Sequence, residues 1–310
     1  MAAYRAPTLF QPHRARQAIR DAHDGKIPPL IGLYLGLSTV PTARFVAPMN
    51  FDVVWVDWEH SACGVETMTT IQMVHEIMFM SEGRSIPFVR VPGHDHAAIG
   101  YALDAGASLV IPQVDTVEQA RSVVSYAKYG TKSKGTRSAP PFRLIPGLTD
   151  GSVDASRSLH QNLNEQAAII VQIETLEGVN NLDAILTEVP DIDAVWIGTL
   201  DLRVSMNLPA QMGQGVEPDF LAAKAKAEAV IQKHNKPYAG LALGPPEVAV
   251  PMAQGKSFIV VAAEVMAMAG MAGDLAQAKH SFQARTQLPV VANGPARTKL
   301  SVGVNGSAKY

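Results

Sequence analysis

From residue 30 onward, short apolar runs alternate with longer stretches of helical period. The runs are "LIGLYLGL" (30–37), "VVWVDW" (53–58), "IPFVRV" (86–91), "SLVIPQV" (108–114), "AIIVQIE" (168–174), "AVWIGTL" (194–200), "YAGLAL" (238–243) and "FIVVAAE" (258–264). Rich in Val and Ile and continuous rather than alternating, they read as strands buried on both faces. Between them, apolar residues recur at helical spacing in 67–78, 96–106, 116–130, 179–189, 219–234, 245–255 and 273–284. Several of these stretches close on Gly shortly before the next strand, a common helix C-terminal signal. Eight β-then-α units predict a parallel sheet, and eight is the number that closes a (β/α)8 TIM barrel. An open doubly wound sheet is the alternative, but no G-x-G-x-x-G follows the first strand.

Three segments fall outside the repeat: an N-terminal extension (1–27), the stretch 131–166 and a tail (288–310) rich in Gly, Ser and Asn, leaving a barrel over 28–287. Residues 131–166 are long for a plain connection and are expected to form a functional loop or lid. The tail is expected to be mobile.

Composition narrows the function. The 310 residues are 47% hydrophobic and carry a formal net charge of −2, so nothing in the overall charge draws the chain to nucleic acid or to an anionic membrane. No apolar run is long enough to span a bilayer. Cys63 is the only cysteine, which excludes an internal disulfide and suits a reducing, cytoplasmic setting. The N-terminus lacks the apolar core of a signal peptide, and Asp21 and Asp24 count against a transit peptide.

In such a barrel the active site lies at the carboxyl ends of the strands. Strand two ends in Asp57, Glu59 and His60, strand three in Arg90, strand five in Gln172 and Glu174, and strand six in Asp201. Glu174 and Asp201, on adjacent strands, could hold a hard divalent cation such as Mg2+, Mn2+ or Co2+, or could each cap the helix that follows. Arg90 reads either as a structural ion pair with one of these carboxylates or as a fork of donors aimed at an enolate oxygen. Arg137, in the long loop, is a weaker candidate. His60 could be a general base, a metal ligand or a structural residue. A Cys63–His60 nucleophile lacks an oxyanion loop.

The motifs "VDWEH" (56–60), "VRVP" (89–92), "ALDAGASLVIPQVDTVEQAR" (102–121), "VQIET" (171–175) and "IGTLDL" (197–202) resemble the class II pyruvate aldolases of the HpcH/HpaI aldolase/citrate lyase family, in order over roughly 28–285. The resemblance implies a phosphoenolpyruvate/pyruvate-type barrel that exchanges its last helix with a partner in a hexamer, a trimer of dimers. It implies that Glu174 and Asp201 ligate the metal, and that Gln172 and the backbone near Leu200 and Asp201 hold the carboxylate of a 2-oxo acid. Arg90 would stabilise the enolate, and His60 would act on the aldol hydroxyl, oriented by Asp104 of a neighbouring subunit. Leu241 would contact the aldehyde portion. The chain departs from the family's Gly-Pro-x-Asp-Leu-Ser at Thr199 and Arg203, and Trp58 replaces a common glycine, which should reshape the pocket. The expected activity is a metal-dependent lyase that forms a pyruvate enolate from a 4-hydroxy-2-oxo acid or from oxaloacetate. The alternatives are a carbon–carbon bond-forming synthase using that enolate, or a weakly catalytic barrel that binds 2-oxo acids.

Overall fold

The computed structural model describes residues 1–61, 63–64, 69–210 and 215–286, with side chains to 283. The tail expected at 288–310 lies outside them. Eight parallel strands, β1 (Leu30–Leu35), β2 (Val53–Asp57), β3 (Ile86–Arg90), β4 (Ser108–Ile111), β5 (Ile169–Ile173), β6 (Ala194–Ile197), β7 (Tyr238–Leu241) and β8 (Phe258–Ala263), pair in chain order, and β8 closes on β1. The helices are α1 (Ala15–His23), α2 (Val40–Val46), α3 (Thr69–Met80), α4 (His96–Ala105), α5 (Val117–Ala127), α6 (Leu159–Gln166), α7 (Leu176–Glu188), α8 (Thr199–Ser205), α9 (Pro218–Lys233), α10 (Pro246–Ala253) and α11 (Glu264–Thr286).

Side-chain alternation divides the core into two layers. On β2, Val53 and Trp55 join the barrel interior, while Val54 and Val56 join the layer between strands and helices. The interior is aromatic: Trp55 meets Trp196 edge to face at 4.8 Å, and Phe88 lies 5.7 Å from Phe258. Gly32 leaves room for that packing, since a Cβ there would stand 2.6 Å from the Phe258 ring. Beneath the interior, α1 contributes Ala15, Ala18, Ile19 and Ala22 to the same cluster. Arg16 fastens α1 through Asp193, Nε to Oδ1 at 2.7 Å. The residues read as an extension thus stopper the amino-terminal end of the barrel.

The expectation of a lid at 131–166 is corrected. This segment runs from the end of α5 to the start of β5, so it covers the amino-terminal end of the barrel, opposite the strand carboxyl ends. Gln11 Nε2 donates to the carbonyls of Thr149 (2.8 Å) and Gly151 (2.9 Å), and the fully buried Arg143 donates to the carbonyls of Leu103 (3.0 Å) and Asp104 (3.2 Å). It contains α6, started by a reciprocal Ser158–Gln161 cap that the loop reading overlooked.

The chain divides into two compact units, residues 1–267 and 268–310. The second holds most of α11, with Met268, Met271, Leu275 and Phe282 spaced along it. Among the described residues no helix is long and apolar enough to cross a membrane.

Candidate active site

Register builds the first half of the site. Parallel pairing sets Asp57, last in β2, level with Arg90, last in β3, and both are buried. The guanidinium binds the carboxylate through two teeth, Nε to Oδ1 and Nη2 to Oδ2, both 2.9 Å. The hydroxyl of Tyr34, from β1, donates to Asp57 Oδ2 at 2.6 Å and accepts from Arg90 Nη2 at 3.2 Å. Glu59 Oε2 lies 3.1 Å from Arg90 Nε. Burial alone would raise the Asp57 carboxyl, but the hydrogen bonds and charge of Arg90 outweigh it and hold the group below the usual carboxylate range. Glu59 goes the other way, because burial outweighs the pull of Arg90.

The second half faces it. Glu174, just past β5, is buried; Oε1 accepts from Gln172 Nε2 at 2.9 Å and Oε2 from the Gln113 N–H at 3.0 Å. Gln113 takes a left-handed φ of +47°, which ends the run read as a strand to 114 and turns its amide toward Glu174. Gly198 makes room for this carboxylate: a Cβ there would fall 2.3 Å from Glu174 Oε1, so any side chain would have to displace it. The run read as a strand to residue 200 stops at Ile197, and Asp201 sits in the first turn of α8. Burial, then the Asp201 charge, pushes the Glu174 carboxyl up to about 7. The Asp201 charge also acts, as a minor contribution, on Glu59.

Among the described residues, no three His, Cys, Asp or Glu side chains form a ready metal cluster. The donor set nevertheless fits a hard cation. Glu174 and Asp201 supply carboxylate oxygens, and a cation would relieve the mutual repulsion that lifts Glu174. The Gln172 Oε1 atom beside them is buried and without a hydrogen-bond partner among the described residues.

Other residues from the sequence reading are distributed differently. The His60 side chain is exposed at the rim, with Nε2 3.6 Å from Glu59 Oε2. Leu241, last in β7, packs against the interior cluster. Leu200 is exposed in the first turn of α8. Trp58 is half-buried and packs on the outer layer, as its parity after Asp57 requires. Asp104 lies near the C-terminus of α4, at the far end of the same barrel, paired with the buried Arg137 at 2.7 Å. Arg203 is fully buried and binds Glu217 with both terminal nitrogens, at 2.6 and 2.8 Å, so its charge is spent between α8 and α9. Cys63 is buried, its thiol donates to the Asp57 carbonyl at 3.4 Å, and burial pushes its pKa up; it is no thiolate nucleophile. The sequence reading passed over Tyr34. Its signal was inward parity on β1, level with Trp55. A groove of about 1320 Å3 opens between residues 5–13 and α3, but the buried guanidinium and facing acids converge at the barrel mouth.

A closed parallel barrel carries, at the carboxyl ends of its strands, a buried Arg–Asp pair opposite two carboxylates. The chain belongs to the HpcH/HpaI aldolase/citrate lyase family, which it matches over residues 30–274. It is 32% identical over 240 residues to 2-keto-3-deoxy-L-rhamnonate aldolase of Salmonella gallinarum (strain 287/91 / NCTC 13346), covering 76% of this chain and 83% of that one. The Klebsiella pneumoniae (strain ATCC 700721 / MGH 78578) enzyme of the same name is 31% identical over 241 residues, with the same coverage. Among solved structures, macrophomate synthase superposes with a TM-score of 0.82 at 33% identity, over 92% of this chain and 95% of that one. An HpcH/HpaI family protein from Burkholderia cenocepacia J2315 gives 0.70 at 25% identity, over 86% and 99%.

Proposed function

We propose that this protein is a divalent-metal-dependent carbon–carbon lyase that forms a pyruvate enolate, by retro-aldol cleavage of a 4-hydroxy-2-oxo acid or by decarboxylation of oxaloacetate. One observation carries the reading: at the strand carboxyl ends the buried Arg90 fork stands close enough to Glu174 to act on its charge, as does Asp201, the other carboxylate of the pair. Glu174 and Asp201 would hold Mg2+, Mn2+ or Co2+, which supplies Lewis-acid polarisation of the 2-oxo group.

The rest falls to the chain's own groups. When the C3–C4 bond breaks, its electron pair passes to the enolate, and negative charge gathers on the C2 oxygen. Arg90 answers that charge; its contacts to Asp57 and Tyr34 use Nε and Nη2, which leaves Nη1 for the substrate. Gln172 and the amides at the start of α8 orient the substrate carboxylate, and Leu241 limits the aldehyde side. His60, at the rim, accepts the proton of the C4 hydroxyl as the aldehyde leaves. Asp104 cannot reach His60 within one chain, so a partner subunit would supply it, in a hexamer that exchanges α11. The apolar spacing of Met268, Met271, Leu275 and Phe282 supports a helix that packs on something.

The likeness to macrophomate synthase favours a second reading, in which the enolate is added to an acceptor and a bond is formed. Both begin with the same enolate. The deciding assay measures pyruvate release from a panel of 4-hydroxy-2-oxo acids and oxaloacetate, with Mn2+ and with EDTA. Turnover that EDTA abolishes supports the reading; turnover indifferent to EDTA, or none on any member, refutes it. Binding of 2-oxo acids without turnover would leave a binding barrel instead.

A further inference from the structure

The Arg90–Asp57 pair has a third member that no sequence motif singled out. Tyr34 is half-buried on the inward side of β1. Its hydroxyl donates to Asp57 Oδ2 at 2.6 Å and accepts from Arg90 Nη2 at 3.2 Å, closing a ring with the 2.9 Å bond between those same two atoms. The Tyr34 ring also has one place to be. It stands edge to face on Trp55, with centroids 5.5 Å apart, and the guanidinium carbon of Arg90 lies 5.8 Å from its centroid. On the other side, Gly36 admits it so closely that a Cβ would come within 2.6 Å of ring atom Cε1.

An Asp–Arg pair by itself leaves the guanidinium a choice of edges. The carboxylate can be bound through Nε and Nη2 or through both terminal nitrogens, and each choice sends a different N–H toward the pocket. Tyr34 narrows the choice, with Glu59 Oε2 at 3.1 Å from Nε on the same edge. In the arrangement seen its hydroxyl accepts from Nη2 while donating to Oδ2, and Nη1 is left over.

We propose that Tyr34 is the positioning residue that selects this edge of Arg90 and so aims Nη1 at the developing enolate oxygen. The inference rests on the lyase reading above. The hydroxyl touches no substrate in this scheme; it works through Arg90. Because charge on the C2 oxygen grows toward the transition state, a misdirected donor lowers kcat more than it raises KM.

The test is steady-state pyruvate release with Mn2+ by wild type, Tyr34→Phe, Arg90→Lys and the double variant. Tyr34→Phe keeps the ring and deletes one oxygen; kcat should fall roughly tenfold to a hundredfold, the worth of a hydrogen bond to a charged group, with KM within about threefold. In the Arg90→Lys background the same deletion should cost less than about twofold, because lysine has no edge to select. Full additivity, or an effect confined to KM, overturns the proposal, as does an unchanged kcat in Tyr34→Phe when the wild type is active. A wild type that releases no pyruvate overturns the lyase reading and this inference together, which is a different outcome. If Tyr34→Phe does not fold, Asp57→Asn replaces it: the amide offers one acceptor oxygen, so the same kcat-weighted loss is expected, and a normal kcat refutes the role.

Discussion

Arg90 grips Asp57 through two parallel hydrogen bonds of 2.9 Å, and the carboxylate so gripped is wholly buried. Removing the guanidinium strands that charge. Arg90→Ala should therefore destabilise the protein by about 3–5 kcal/mol, the typical cost of leaving one half of a buried pair, besides damaging both retro-aldol and decarboxylase turnover. Urea unfolding at pH 7 measures the first effect; a loss below about 1 kcal/mol would mean that Asp57 finds another donor.

Glu174 ties metal affinity to pH. Its carboxyl, raised to about 7 by burial and by Asp201, is protonated below that pH and then offers a cation little. Mn2+ affinity, read by calorimetry, should rise about tenfold per unit up to roughly pH 7 and then level off. Glu174→Gln should bind weakly and without that slope, and added Mn2+ should raise the melting temperature of the wild type but not of this variant.

His60 separates the two reactions. Cleavage of a hydroxy acid needs a base for the hydroxyl proton, and oxaloacetate has no such proton. His60→Ala should cost about 10²–10⁴-fold in retro-aldol rate and far less in decarboxylation. Equal losses in both would make His60 a structural residue or a ligand.

His13 should make the fold sensitive to acid. It is buried; Nδ1 accepts from the Ala6 N–H at 3.2 Å, and burial lowers its pKa from an ordinary 6.5 to about 4. The unfolded chain binds the proton first, so stability present above pH 6.5 is lost as pH falls toward 4. The loss is about 3 kcal/mol at most for this group. Unfolding free energies at pH 7, 5.5 and 4.5 should show it, and His13→Gln should flatten the decline.

The barrel was legible because buried parallel strands leave a simple trace: all eight apolar runs became strands, in order. The resemblance to the HpcH/HpaI family carried by the strand-end motifs agrees with the family match over 30–274 and with the superposition on macrophomate synthase. The errors gathered at the carboxyl ends. Apolar pattern carried β4 past Ile111 and β6 past Ile197, although the left-handed Gln113 and the turn at Gly198 end them. Apolarity reports burial, and apolar residues continue past the last paired residue of each strand: Pro112 and Val114 beyond β4, Leu200 and Leu202 beyond β6. Tyr34 stayed hidden because one tyrosine in an aliphatic run looks like filling; only the β1–β2 register sets it beside Asp57. Arg143 and Gln11 were missed for the opposite reason. They satisfy backbone carbonyls far away in the chain, a task that leaves no periodic mark.

The Glu174 side chain resting on Gly198 has a consequence for how this protein can change over generations. Every single-nucleotide missense exchange of a glycine codon installs a side chain, and the smallest of them already brings a carbon 2.3 Å from Glu174 Oε1. A position such as Leu241, at the rim of the interior, can be sampled one step at a time while the carboxylate stays put. Position 198 has no such neighbouring step. Drift in substrate preference is thereby channelled to the walls of the pocket, and the carboxylate centre is inherited whole or lost.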